Sequence, residues 1–352
     1  MEPEQRRGKR RLARDLSLLA LAGVLLVVGG FFGYNLLYKN VYGPGAFVEN
    51  YLTLLSEGRA ADALVVPGVS VDSVELEEAG IDPGASDALL RRDALAPLTN
   101  ISIVSERHDG DLVLVTASYT AGGVDGTTTF AVEANGWEGL APGWKFARTP
   151  LGVIDLTVFG SMSYSINGFT VDKRQVSVDG IDALPSDAIP MLVFSPGLYS
   201  VAVDTAISTA SGTAVLADVP LSSVPVVVQS QPTPEFVDVI QERVNDFLIN
   251  QCASQQVLQP TNCPFGLTVQ NRIADLPTWS ISQLPAIAVA PDGSDWRIPE
   301  VGAVATVTVQ MQSLYDGSTW ERIEDVPFAM SGTIRMTPDG QASISISAED
   351  LD

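Results

Sequence analysis

Residues 43–55 read Gly-Pro-Gly-Ala-Phe-Val-Glu-Asn-Tyr-Leu-Thr-Leu-Leu, and the rest of the chain is parsed outward from them. Phe47, Tyr51, Leu54 and Leu55 recur at i, i+4, i+7 and i+8, so a helix here lines one face with apolar side chains. A second helical piece spans 59–66 and stops at Pro67, and a third is expected over 86–96. Runs with strand character follow at 101–105, 112–120, 127–133 and 145–148, with Asp109-Gly110, Asp125-Gly126 and Asn135-Gly136 expected to turn the chain between them. Helices first and then an antiparallel sheet define an α+β domain.

Further along, helical periodicity disappears between 161 and 229. Short strands are expected at 176–178, 191–194, 199–203, 213–216 and 224–228, punctuated by Asn167-Gly168, Asp179-Gly180 and Pro196-Gly197, which fits a small β-sandwich. Pro234 then opens a second amphipathic helix, because Val237, Ile240, Val244, Phe247 and Leu248 fall on one side and proline is tolerated in a first helical turn. Strands return at 279–283, 287–290, 304–314, 328–336 and 342–346, with Asp292-Gly293, Asp316-Gly317 and Asp339-Gly340 at the bends. Helix followed by sheet thus occurs twice, each time with a Phe-Val pair (Phe47-Val48, Phe236-Val237) near the start of the helix, and this order reads as a structural duplication.

Upstream of the quoted stretch, residues 16–38 are uncharged and apolar, and Arg6, Arg7, Lys9, Arg10, Arg11 and Arg14 precede them. At about 1.5 Å per helical residue the run can cross a hydrocarbon core roughly 30 Å thick. The basic tail belongs in the cytoplasm by the positive-inside rule, which sends everything after Lys39 outside. A cleaved signal peptide is the competing reading. Its apolar region is usually shorter, however, and here Phe31, Phe32, Leu36 and Leu37 continue the hydrophobicity past Ala20-Leu21-Ala22, so an uncleaved anchor is expected. Gly29 and Gly33 form a Gly-x-x-x-Gly through which two spans can pack as a homodimer. The resulting division is a basic tail (1–15), a transmembrane helix (16–38), a linker (39–44), an α+β domain (45–158), a β-sandwich (159–230) and a second α+β domain (231–352).

The chain has 20 Lys and Arg against 42 Asp and Glu, a formal net charge of −22, and six of the basic residues lie in the first fifteen positions. An acidic exterior repels nucleic acid and other polyanions and favours cationic or neutral partners, such as envelope proteins or wall components. Cys252 and Cys263 are the only cysteines, and an even pair in a proline-bearing loop outside the membrane is expected to form a disulfide.

With these elements in place, the chain resembles the teicoplanin-resistance-associated membrane protein family, TcaA. The resemblance rests on the basic tail, the single span, the helix-plus-sheet module and the strand Pro196-Gly197-Leu198-Tyr199-Ser200-Val201, and it covers most of residues 16–230. The helix-then-curved-sheet modules are similar to nuclear-transport-factor-2-like (NTF2-like) folds. Membership implies a role in a bacterial cell envelope. Members usually carry a cytoplasmic zinc ribbon built on paired Cys-x-x-Cys, whereas this chain has no cysteine before Cys252, so nothing belonging to the ribbon carries over.

Catalytic signatures are scarce. The one histidine, His108, precedes a turn at Asp109-Gly110, and neither Gly-x-Ser-x-Gly nor Ser-x-x-Lys occurs. The chain also lacks a phosphate-binding Gly-x-x-x-x-Gly-Lys loop and a His-Glu-x-x-His zinc motif, so no cofactor and no metal are expected. Glu75, Glu77 and Glu78 read as a solvated run, and Asp109-x-Asp111 and Asp292-x-x-Asp295 as turn residues rather than calcium ligands. Trp137, Trp296 and Trp320 stand in polar, turn-rich surroundings and are the candidate binding residues, with ordinary packing as the competing reading. The expected protein is a single-pass envelope protein that binds or scaffolds. A carboxylate-dependent hydrolase of polysaccharide or cell wall is the alternative, since two carboxylates suffice for that chemistry.

Overall fold

A computed structural model describes residues 41–138 and 141–349. The basic tail, the expected span and the Gly29/Gly33 pair lie outside the described residues. Among the described residues no helix is long and apolar enough to cross a membrane. The described chain is mixed α+β, with three consecutive units built on separate sheets.

Helix α1 (Pro44–Ser56) carries proline in its first turn and buries Val48, Tyr51, Leu52, Leu54 and Leu55. Two short helices follow, α2 (Ala60–Leu64) and α3 (Ser73–Glu78). The Asp72 carboxylate caps α3 by accepting from the amides of Val74 and Glu75, at 3.0 and 2.9 Å. The acidic run at 75–78 is therefore helical and not an open loop, and the Glu75 carboxylate accepts from the Thr149 amide at 3.3 Å. Strands β1 (Leu98–Asp109), β2 (Leu112–Ala121), β3 (Val124–Glu138) and β4 (Ala141–Phe146) form an antiparallel meander in sequence order. The Tyr51 ring meets Phe130 and Phe146 edge-on, at 6.2 and 5.2 Å between centroids, and so fixes α1 on this sheet.

Two turn expectations in this unit are corrected. Asp125-Gly126 lies inside β3, where Gly126 pairs with Tyr119 and a Cβ would come within 2.8 Å of the tyrosine ring. The turn is made instead by Gly122 and Gly123, both at positive φ. Asn135-Gly136 is also within β3, at a shift of register between Ala134 and Trp137. The helix expected over 86–96 is replaced by turns and one 3-10 turn (Arg92–Ala94), and Ser86 bridges to Met191 in the next unit, its amide donating to the Pro190 carbonyl at 2.9 Å.

The second unit contains two sheets. Strands β5 (Leu151–Phe159), β8 (Ala188–Phe194) and β11 (Ser223–Gln229) form one, in which β11 runs parallel to β5. The other has the order β12 (Gln231–Pro232), β10 (Ser208–Ala217), β9 (Gly197–Asp204), β6 (Ser163–Ile166), β7 (Phe169–Asp172). Ile154, Leu156, Val158, Tyr164, Tyr199 and Val201 fill the space between them. Although β5 falls before the boundary drawn at 158/159, it pairs with β8 and β11. It begins directly after Pro150, is buried through its first four residues and alternates buried with half-buried residues from Ile154 to Phe159. The strand expected at 176–178 is instead the end of helix α4 (Lys173–Val176) and the loop after it, since Asp172 caps a helical turn there.

Thr233 opens the third unit by capping α5 (Pro234–Asp246), its hydroxyl accepting from the Phe236 amide at 3.2 Å. The helix continues through a π-helical turn (Phe247–Cys252) into the cysteine loop, where Cys252 and Cys263 are disulfide-bonded with their Cα atoms 5.6 Å apart. The sheet is dominated by β16 (Asp295–Gln312) and β17 (Thr319–Met336), much longer than the strands expected from the sequence. The short strands β13 (Arg272–Ile273), β14 (Thr278–Gln283) and β15 (Ala290–Asp292) pair with one edge of β16, and β18 (Ala342–Glu349) pairs with β17. Phe236, Ile240, Val244 and Leu248 pack on Trp279, Trp296 and Ile298 in the core between helix and sheet.

Candidate functional site

The second and third units are joined by a linker that is itself structured. Gln231 and Pro232 pair with Thr209 and Ser208, and the Ser230 hydroxyl donates to the Phe159 carbonyl at 2.7 Å. The Thr233 hydroxyl, besides capping α5, donates to the Ala206 carbonyl at 2.9 Å, and the Thr233 amide donates to the Ile207 carbonyl at 3.1 Å. At Gly160, which has a φ of +75°, a Cβ would lie 2.9 Å from Trp296 Nε1, so the indole of the third unit sits directly against this glycine.

These ties leave a cavity of about 610 Å³ between the units. Met162, Ile207, Phe236, Ile240, Met336 and Ile344 give it an apolar lining, and Asp172, Arg174, Glu235 and Arg243 supply charge. Asp172 and Arg174 neutralise one another. The carboxylate takes Arg174 Nε at 2.9 Å and Nη2 at 2.6 Å while also capping α4 through the Arg174 amide. The guanidinium holds the Asp172 carboxyl below its ordinary value, so this carboxylate stays ionised at neutral pH. Glu235 and Arg243 stand on the first and third turns of α5, both exposed, and neither is in an ion pair among the described residues. The groove therefore combines an apolar lining, one satisfied ion pair and one uncommitted charge of each sign.

The candidate tryptophans are not gathered into one site. Trp296 is fully buried, packed on Phe236 at 5.5 Å between ring centroids, and offers no face to a ligand, which corrects its reading as a binding residue. Its position within an 18-residue strand explains the difference, because residues on the inward side of β16 are covered by α5 whatever polar neighbours flank them in sequence. Trp137 (73% exposed) and Trp320 (40%) are accessible but belong to different sheets. His108 is exposed at the end of β1, opposite Val113. No group of three or more His, Cys, Asp or Glu side chains suited to a metal occurs among the described residues.

The groove was not legible in the sequence. Its residues come from the β5–β6 turn, the β7–α4 junction, the β9–β10 turn, α5 and the β17–β18 hairpin, and no short motif links them. The charged pair on α5 was the one available signal, since Glu235 and Arg243 flank Val239 on the side of the helix that does not face the sheet. No protein-family model, curated protein or solved structure matches the chain.

Proposed function

We propose that this chain is a single-pass, membrane-anchored, extracytoplasmic binding or scaffold protein of a bacterial cell envelope, and that it binds through the groove between its second and third units. The observation that carries this reading is the preformed cavity of about 610 Å³ with an apolar lining and uncommitted Glu235 and Arg243. Pockets of this size and polarity, placed where two units meet, are where proteins commonly bind small molecules or segments of other chains. An occupant with an apolar body and both a cationic and an anionic group, as in a short peptide, matches this lining. The Cys252–Cys263 disulfide supports an oxidising compartment. The basic tail and the apolar run at 16–38 support the anchor and its direction.

We read the protein as non-enzymatic. A glycosidase needs a carboxylic acid kept protonated near neutral pH. The groove's Asp172 is instead held ionised by Arg174. The helix laid across a four-stranded antiparallel sheet in the first unit supports the NTF2-like reading, and the basic tail, the apolar run and the strand at 196–201 support the TcaA-like one.

A photo-crosslinking residue at Val239, which lines the groove and is 46% exposed, tests the proposal in intact envelopes. A discrete adduct is expected from Val239, absent from the more exposed Val227 (61%) and lost on Arg243→Glu. Indistinguishable adducts at the two positions contradict the groove as the binding site. Turnover of purified cell wall by the full chain, abolished by Glu235→Gln, overturns the non-enzymatic reading.

A further inference from the structure

Among the described residues the chain begins at Val41, three positions beyond Tyr38, where the apolar run ends. Three residues reach at most about 11 Å even when fully extended. A bilayer's polar headgroup layer adds roughly 5 to 8 Å on each side of the hydrocarbon core. Whatever part of the first unit is fastened to residues 41 and 42 is therefore held close to the headgroups.

The fastened part is the β3–β4 hairpin. Trp144 Nε1, on β4, donates to the Tyr42 carbonyl at 2.8 Å. Trp137 pairs with Pro142 on the same hairpin and is 73% exposed, while Val41 and Tyr42, about half exposed, share a cavity with Pro142 and Trp144. A shallow cavity of about 290 Å³ runs between the emerging chain and β4, lined by Val41, Tyr42, Phe47, Pro67 and Trp144. Tryptophan and tyrosine favour the membrane–water interface, where the ring is desolvated and the polar edge stays wet. The Glu133 carboxylate of β3 is paired with Lys145 of β4 at 2.8 Å, which ties the two strands together.

Resting on the anchored reading above, we infer that the first unit is seated on the outer face of the bilayer that the span crosses, with Trp137 inserted at headgroup depth and Tyr42 and Trp144 bracing the hairpin against the anchor. The occupant of this aromatic surface is lipid, selected by where the chain emerges. A comparable exposed group at Leu314, Tyr315 and Trp320 lies in the third unit and has no such tether.

Full-length protein reconstituted into phosphatidylcholine vesicles containing lipids brominated near the headgroup tests this. Tryptophan fluorescence is expected to be quenched, with Trp137→Phe giving the largest single loss of quenching and Trp320→Phe giving none. If the chain resists alkaline carbonate extraction but Trp137→Phe leaves quenching unchanged, the anchor stands and the seated hairpin is overturned. If carbonate releases the chain from the vesicles, the anchored reading fails and this inference fails with it. Unchanged far-ultraviolet circular dichroism and an unchanged urea midpoint of Trp137→Phe separate a loss of insertion from a loss of fold.

Discussion

Lys173 is fully buried, and its ammonium donates to the carbonyls of Val158 (2.9 Å), Asp187 (3.4 Å) and Pro185. Burial pulls its pKa down to about 8 despite these acceptors. The unfolded chain holds the proton up to the ordinary lysine range, so above pH 8 it binds more protons than the folded chain and stability rises with pH. Between pH 8 and 10 the gain is about 2 to 3 kcal/mol, at about 1.4 kcal/mol per unit. Buried Tyr51, Tyr164 and Tyr199 act in the opposite direction at higher pH, because desolvation raises their pKa values and the unfolded chain loses those protons first. Denaturant unfolding should therefore show maximal stability near pH 9 to 10, and Lys173→Met should flatten the rise below it. A wild-type stability that falls steadily from pH 7 to 10 contradicts this account of Lys173. At Gly160, the positive φ and the nearby Ser230 hydroxyl and Trp296 ring leave no room for a side chain. Gly160→Val should cost about 2 kcal/mol or more, read as a lower urea midpoint at an unchanged slope.

At the scale of the element, α5 and its cap hold the groove together. Thr233→Ala removes both the cap and the bond to Ala206, and should cost about 1 to 2 kcal/mol in urea unfolding. It should also weaken crosslinking from Val239, whereas Thr233→Ser should preserve both. In the cysteine loop, thiol reagent applied to denatured, unreduced protein should label neither Cys252 nor Cys263, and stoichiometric labelling would contradict the pairing. The long helices were legible because their apolar residues recur with the helical period and proline stands at each start. Asp-Gly pairs marked real turns at 109–110, 292–293, 316–317 and 339–340, but not at 125–126, where the glycine makes room for Tyr119. The helix expected over 86–96 does not form because Ser86 is bonded to a neighbouring sheet edge and the chain after it folds into tight turns, a partnership that local periodicity does not record. Trp296 failed as a surface candidate for a related reason: polar neighbours in sequence do not show which side of a strand faces the helix.

For the whole molecule, the first two units are more closely joined than their separate sheets imply. Leu151 and Phe194 of the second unit complete the core of the first, the Tyr51 hydroxyl donates to the Ser195 carbonyl at 3.1 Å, and the Thr128 hydroxyl donates to the Asp218 carbonyl at 2.7 Å. Calorimetry should therefore show residues 41–230 unfolding in one cooperative transition, and two separated transitions within that region would contradict the coupling. The proposed function requires this coupled body to lie on the outer side of the membrane that the proposed anchor crosses. Two lysines report on it: Lys9 lies in the basic tail, and Lys145 is partly exposed on β4. Sealed cells treated with a membrane-impermeant amine reagent, followed by mass spectrometry of the chain, compare them directly. On the proposed topology Lys145 is modified and Lys9 is spared until the membrane is opened. Modification of Lys9 with Lys145 spared, or protection of both until the cells are lysed, would contradict it.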